Sequence, residues 1–219
     1  MLDWFQRKLP GSAGLEDITR KFEQMLEDGR HVFDAAANGL LGGTDPEVIR
    51  QDLFATDKRI NATEMAIRRQ LVVHGSVHGS LNLPELLVMM SLVKDAERIG
   101  DYAKNIFDLS VQGARFWNEE ERQRLVAMKD QISKLLVRAR NIYEEQDEAA
   151  AVKFLQDADG MEDTCDDGVR RLLKVEDRNT AAAVLCWRYF KRVISHVANI
   201  VTSLVMPVDK LDFFDEPKV

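Results

Sequence analysis

Glu97 and Asp101 stand four residues apart, so on a helix both carboxylates project from one face and can share a hard cation such as magnesium, manganese, calcium or iron. An acid-rich solvated face offers the same spacing, and what lies opposite decides between the two. If the segment carrying the pair folds back on the preceding one about a turn centred near residue 81, positions 97 and 101 face positions near 65 and 61. That brings Asp57, Asn61 and Glu64 to the same region. A second fold-back centred near 177–178 puts Lys191 opposite Glu162 and Asp166, and Ser195 near Gly160. Carboxylates gathered in this way repel one another unless a cation or an arginine neutralises them, and Arg98 is the arginine at hand.

Other chemistry-bearing residues point to structural roles. His74 and His78 share the i, i+4 spacing of zinc-binding histidines, but no His-Glu-x-x-His pattern is present, and Gly75 and Gly79 mark a helix near its end. A capping or packing role follows for them, and a core or interface role for His196, which sits alone on an apolar helix. Gly42-Gly43 lacks the Lys-Ser/Thr of a phosphate-cradling loop, and no nucleophile elbow occurs. The expectation is a binding protein and not an enzyme, with no catalytic residue.

The elements that must position these side chains are helices. Of five prolines, at 10, 46, 84, 207 and 217, none lies between Pro84 and Pro207, which leaves room for long uninterrupted helices. Thr44-Asp45-Pro46-Glu47 and Asn82-Leu83-Pro84-Glu85 each supply a polar cap, an early proline and an acid, and Asn118 with Glu121 fits a capping box. Gly42-Gly43 and Glu176-Asp177-Arg178-Asn179 are breaks. These signals predict six helices over 14–40, 46–79, 84–115, 118–146, 148–175 and 179–206. Ile18, Phe22, Met25, Leu26 and Gly29 recur at helical spacing, as do Leu125, Met128, Ile132, Leu135, Leu136 and Ala139, and both stripes predict bundle core. Short connections make consecutive helices antiparallel. The predicted fold is all-α: an N-terminal extension (1–13), one three-helix bundle (14–115), a second (116–206) and a C-terminal tail (207–219).

Composition narrows the function classes. The 219 residues hold 30 Lys and Arg against 37 Asp and Glu, a net charge of −7 that argues against a surface built to neutralise nucleic-acid phosphates. Cys165 and Cys186 form no CxxC pair and fit a reducing compartment. Arg188, Lys191, Arg192 and His196 interrupt the apolar stretch Ala181–Met206, which is therefore not a membrane span. Asp3, Gln6, Arg7 and Lys8 likewise interrupt any leader-like apolar run at the start. Trp4 and Phe5 in Met1–Leu9 are a short docking element for a membrane or partner, and Phe213 and Phe214 either pack back or serve as a partner peptide. A cytoplasmic chain is expected, reaching the inner membrane only through partners.

Glu97-Arg98-Ile99-Gly100-Asp101-Tyr102-Ala103-Lys104-Asn105-Ile106 aligns with Lys191-Arg192-Val193-Ile194-Ser195-His196-Val197-Ala198-Asn199-Ile200, each on the third helix of its half, so the halves look like copies of one unit. The segment Lys94–Ile106, together with this two-repeat layout, resembles the PhoU family of phosphate-transport regulators. In that family a Glu/Asp-x-x-x-Asp pair recurs on the second and third helices of each bundle and can hold iron or other metal ions. The resemblance implies an accessory protein that works with an ABC-type phosphate importer and a sensor histidine kinase, and that dimerises. Glu97 and Asp101 match the motif, and Glu162 with Asp166 keeps it on the fifth helix. Asp57 is joined by the neutral Asn61, while Lys191 and Ser195 replace the acids on the sixth helix. The resemblance therefore implies a first-repeat metal set of Asp57, Asn61, Glu64, Glu97 and Asp101, taking iron, manganese, zinc or magnesium, and a weaker second set of Glu162 and Asp166. Lys191 is expected to pair with Glu162 and Asp166 in place of a metal. Two alternatives stand beside this reading: a carboxylate-bridged metal oxidase of ferritin type, disfavoured because no histidine follows a glutamate by three residues, and a metal-free helical adaptor.

Overall fold

Six helices form where the apolar stripes and caps place them. The computed structural model describes residues 12–116, 118–175 and 180–214. Its helices are α1 (Ser12–Gly42), α2 (Pro46–His78), α3 (Leu83–Val111), α4 (Glu119–Glu145), α5 (Glu148–Leu172) and α6 (Ala181–Thr202). No strand occurs among the described residues. Trp4, Phe5 and the break at 176–179 lie outside them.

Local chemistry sets the helix ends. Asp45, Asn118 and Asp147 accept hydrogen bonds from the backbone N–H groups of Glu47, Glu121 and Ala150 at 2.9, 3.2 and 2.9 Å, each satisfying a donor the helix cannot. Two expected caps differ. Asn82 makes no capping bond and turns its amide to Nε2 of His74 at 3.4 Å. Glu121 does not reach back to Asn118: its carboxylate is taken by Arg171 and by the Trp187 indole N–H, at 2.6 Å from the latter, because burial at this helix start rewards a cation and an indole above a lone amide. The third, fifth and sixth helices end earlier than predicted, at Val111, Leu172 and Thr202 in place of 115, 175 and 206. At the end of α6 the hydroxyls of Thr202 and Ser203 donate to the carbonyls of Asn199 and Ile200, competing with the helix ladder just before Pro207.

Both predicted stripes are core. Ile18, Phe22, Met25, Leu26, Leu125, Met128, Ile132, Leu135, Leu136 and Ala139 are all buried. The helices pack as α1, α2 and α3 on one side and α4, α5 and α6 on the other, and α1 against α4 and α3 against α6 join the halves. Phe22 meets Tyr143 at 5.0 Å between ring centroids, and Phe33 meets Phe190 at 5.7 Å, so one continuous apolar core runs through both repeats. Each such ring contributes about 1.5–3 kcal/mol by burial. Phe214 and Leu211 pack back on this core, while Phe213 stays exposed. In the second half, Gly168 lets α5 approach α6: a Cβ there would stand 2.7 Å from the Trp187 ring. In the first half, buried Asp28 on α1 accepts two hydrogen bonds from Arg59 on α2, at 2.7 and 2.8 Å.

Candidate functional site

The fold-back of α3 on α2 gathers the five expected first-repeat residues along one helix-helix seam, and it meets their charge with side-chain cations. Lys104 on α3 places its ammonium 2.9 Å from Asp57 on α2 and 3.0 Å from Asp101 on its own helix. Arg98 holds the other oxygen of Asp101 at 2.8 Å, Lys94 holds Glu97 at 2.7 Å, and Arg68 holds Glu64 at 2.9 Å. Asn61 donates its amide to Asp57 at 3.4 Å. Four carboxylates, Asp57, Glu64, Glu97 and Asp101, thus meet four cationic side chains, and the seam is neutral as a whole.

Electrostatics within the seam follow from burial and pairing. Burial pulls the Lys104 ammonium down, but its hydrogen bonds to Asp57 and Asp101 outweigh that and hold it above the usual lysine value. Burial likewise raises Asp101, and the hydrogen bond and charge of Lys104 overcome it, so the carboxyl lies below its ordinary value. Glu64 goes the other way. Its burial outweighs the opposing charge of Arg68, Glu97 adds repulsion, and the carboxyl is pushed up.

In the second repeat Lys191 lies 2.6 Å from Asp166 and 3.7 Å from Glu162, and Arg188 approaches Asp166 at 3.8 Å. Ser195 donates its hydroxyl to the carbonyl of Lys191 one turn back, at 3.1 Å, so its oxygen is engaged with its own helix. The buried Cys165 thiol beside this group is pushed up to about 12, by burial first and then by Glu162 and Asp166.

A hard divalent cation needs oxygen ligands whose charge is not already spent. In the first repeat the ammonium of Lys104 lies between the facing oxygens of Asp57 and Asp101, and in the second Lys191 stands at the acids of α5. Among the described residues no three His, Cys, Asp or Glu side chains converge closely enough to hold a metal ion. The residues as arranged do not fit a bound metal in either half.

The histidines hold structure elsewhere. His74 and His78 lie ring to ring at 4.4 Å, and burial, then the charge of His78, lowers the His74 imidazole. His196 joins the halves. Its Nδ1 is 2.8 Å from Asp95 on α3, its Nε2 is 3.3 Å from a guanidinium nitrogen of Arg192, and its ring stacks on Tyr102 at 5.6 Å and 24°. Arginine can only donate, so Nε2 accepts and the Nδ1 proton faces Asp95. Tyr102 and His196 occupy the same place in the repeat alignment, so equivalent positions of the two copies meet face to face across the α3–α6 seam.

Lys104 and Asp95 were missed by sequence reasoning. Lys104 follows Asp101 by three residues, which places it on the same helix face, and that spacing was a usable signal. Asp95 is a single acid among Leu92, Val93, Ala96 and Ile99, the pattern of a buried and therefore partnered carboxylate.

The architecture defines a class: an all-α chain of two tandem three-helix bundles, with acid-bearing seams between the second and third helices of each. Residues 22–109, within α1 to α3, match the PhoU domain family model. The first repeat is therefore similar to a PhoU domain. Its fold is similar to that of PhoU from Pseudomonas aeruginosa, with a TM-score of 0.74 and 20% identity over 91% of this chain and 99% of that one. It is also similar to that of the phosphate transport system regulatory protein PhoU from Streptococcus pneumoniae, with a TM-score of 0.75 and 18% identity over 95% of this chain and 99% of that one. No curated protein matches the chain in sequence.

Proposed function

We propose that the chain is a PhoU-like regulator of phosphate transport and phosphate-responsive signalling that works by contact with other proteins and not by turning over a substrate. The observation that carries this reading is the correspondence of the fold, over 95% of the chain, with a phosphate transport system regulatory protein, joined to the PhoU domain of the first repeat. The polar chemistry supports it. Asp28 with Arg59, Glu121 with Arg171 and Trp187, and Asp95 with His196 all tie helices together, as a scaffold that presents surfaces requires.

The proposed partners are a phosphate transporter and a sensor histidine kinase, met at the cytoplasmic side of the inner membrane, and a second copy of the chain. No helix among the described residues is long and apolar enough to cross a membrane, which fits attachment through partners. Val72, Val73 and Val77 on α2 and Leu83 and Leu87 on α3 are 47–70% exposed at the end of this hairpin, an apolar surface suited to protein contact. The test is labelled-phosphate uptake in source cells lacking the protein, grown with ample phosphate. Uptake is expected to rise above that of the parent and return on complementation; uptake identical in both strains would refute the regulator reading.

A further inference from the structure

The structure assigns to Lys104, and in the second repeat to Lys191, the place that a divalent cation would take between the second and third helices, so that both acidic seams are closed by the chain's own ammonium groups. Three observations carry this. The first is position. The Lys104 ammonium lies at 2.9 and 3.0 Å from oxygens contributed by two different helices, the lengths of charge-assisted hydrogen bonds. A hard cation on those same oxygens would stand about 2.0–2.6 Å from each, in space the ammonium already fills.

The second is completeness. The other acids are paired as well, Lys94 and Arg98 holding Glu97 and Asp101 and Arg68 holding Glu64, but these three cations are 40–44% exposed, whereas Lys104 bridges acids of both helices. Lys104 itself is only 26% exposed, and Asp57 is 12% exposed, so solvent does not screen the pair strongly. The third is recurrence by a different route. Lys191 occupies the repeat position of Glu97, while the repeat position of Lys104 is Ala198 in the second half. Each third helix nevertheless sends an ammonium to an acid on the second helix of its own repeat: Lys104 to Asp57 and Lys191 to Asp166. Two unrelated positions thus meet the same need for a cation.

The consequence is a chain whose two seams keep their geometry whether or not divalent metal is present, with a latent metal site beneath Lys104. The test is equilibrium dialysis of chelator-stripped full-length protein against Mn²⁺ or Zn²⁺, read by elemental analysis and by thermal melting. Wild type is expected to hold no stoichiometric metal and to melt at the same temperature in EDTA and in Mn²⁺. Lys104→Met, which uncovers Asp57 and Asp101 in the α2–α3 seam they share with Glu97, is expected to gain about one Mn²⁺ per chain and to melt higher with it than in EDTA. Adding Asp101→Asn should remove that gain.

Stoichiometric metal in wild type that is lost in Asp57→Asn/Asp101→Asn would overturn the inference, as would a folded Lys104→Met variant that takes no metal. If Lys104→Met does not fold, the wild-type dialysis alone decides. The measurement concerns the chemistry of the seam, so its failure would leave the phosphate-regulator reading to its own uptake experiment.

Discussion

Replacing Asp95 by alanine should loosen the joint between the two repeats. Asp95 is buried, accepts from His196 at 2.8 Å and Asn199 at 3.2 Å, and is the only carboxylate among these partners. Removing it leaves an imidazole N–H and an amide N–H without acceptors at a water-poor seam, each at a cost of about 1–3 kcal/mol. A total near 3 kcal/mol is expected, since part of the loss is recovered by relaxation. For a chain of this size that is a fall in Tm of about 6–12 °C. His196→Phe keeps the stack on Tyr102 but removes both nitrogens, and should cost about 2 kcal/mol. Because the two residues share one hydrogen bond, the double variant should be less destabilised than the sum, by about 1–2 kcal/mol. Denaturant unfolding of the four proteins measures this cycle. A second readout comes from Asp212, whose carboxyl is held above its ordinary value by burial and then by the charge of Asp95, so Asp95→Ala should move it part of the way down by NMR titration. Additivity of the two single variants within about 0.5 kcal/mol would refute the coupling drawn from the geometry.

Gly168→Ala should destabilise the second repeat by about 2 kcal/mol, a fall in Tm of about 4–8 °C seen by calorimetry, because the new methyl meets the Trp187 ring at 2.7 Å. Asp17 should titrate at about 2 by NMR, held down by hydrogen bonds from Lys21 and Gln70, and Lys21→Met should return it toward the ordinary 3.8. The sign for stability follows: the folded value lies below the unfolded one, so the contribution of Asp17 is complete above about pH 4 and is lost as pH falls toward 2. Cys165 and Cys186 should resist a thiol reagent at pH 8 in the native protein and react fully in denaturant, since burial raises both thiols, Cys165 to about 12 and Cys186 well above its ordinary value.

Much of the fold was legible because it rests on local rules. The stripe from Ile18 to Leu26 needs one buried face, and Pro46 and Asn118 mark starts that short-range hydrogen bonds complete. The gathering of Asp57, Asn61, Glu64, Glu97 and Asp101 was legible too, since it follows from one fold-back near residue 81. Arg98 was legible as one neutraliser of their charge, and it does hold Asp101. What the sequence did not disclose was the share taken by Lys104, Lys94 and Arg68, because each lies within one turn of an acid and spacing alone does not say which cation turns inward. Lys191 was legible because it replaces an acid in an otherwise repeated pattern. The roles of Asn82 and Glu121 were not, because both are decided by partners beyond their own helix, His74 at the end of α2 for one and Arg171 with Trp187 for the other. The Asp95–His196 joint was hidden for the same reason: it depends on how α3 meets α6, which no single helix encodes.

The most direct test of the proposed role is capture of the tagged full-length chain, with brief crosslinking, from membranes of source cells grown with ample phosphate. Specific enrichment of phosphate-importer subunits or of a phosphate-responsive histidine kinase, reduced when phosphate is withdrawn, is the result expected of a PhoU-like regulator. Reproducible enrichment of a transporter for some other solute, unchanged by phosphate, would contradict it.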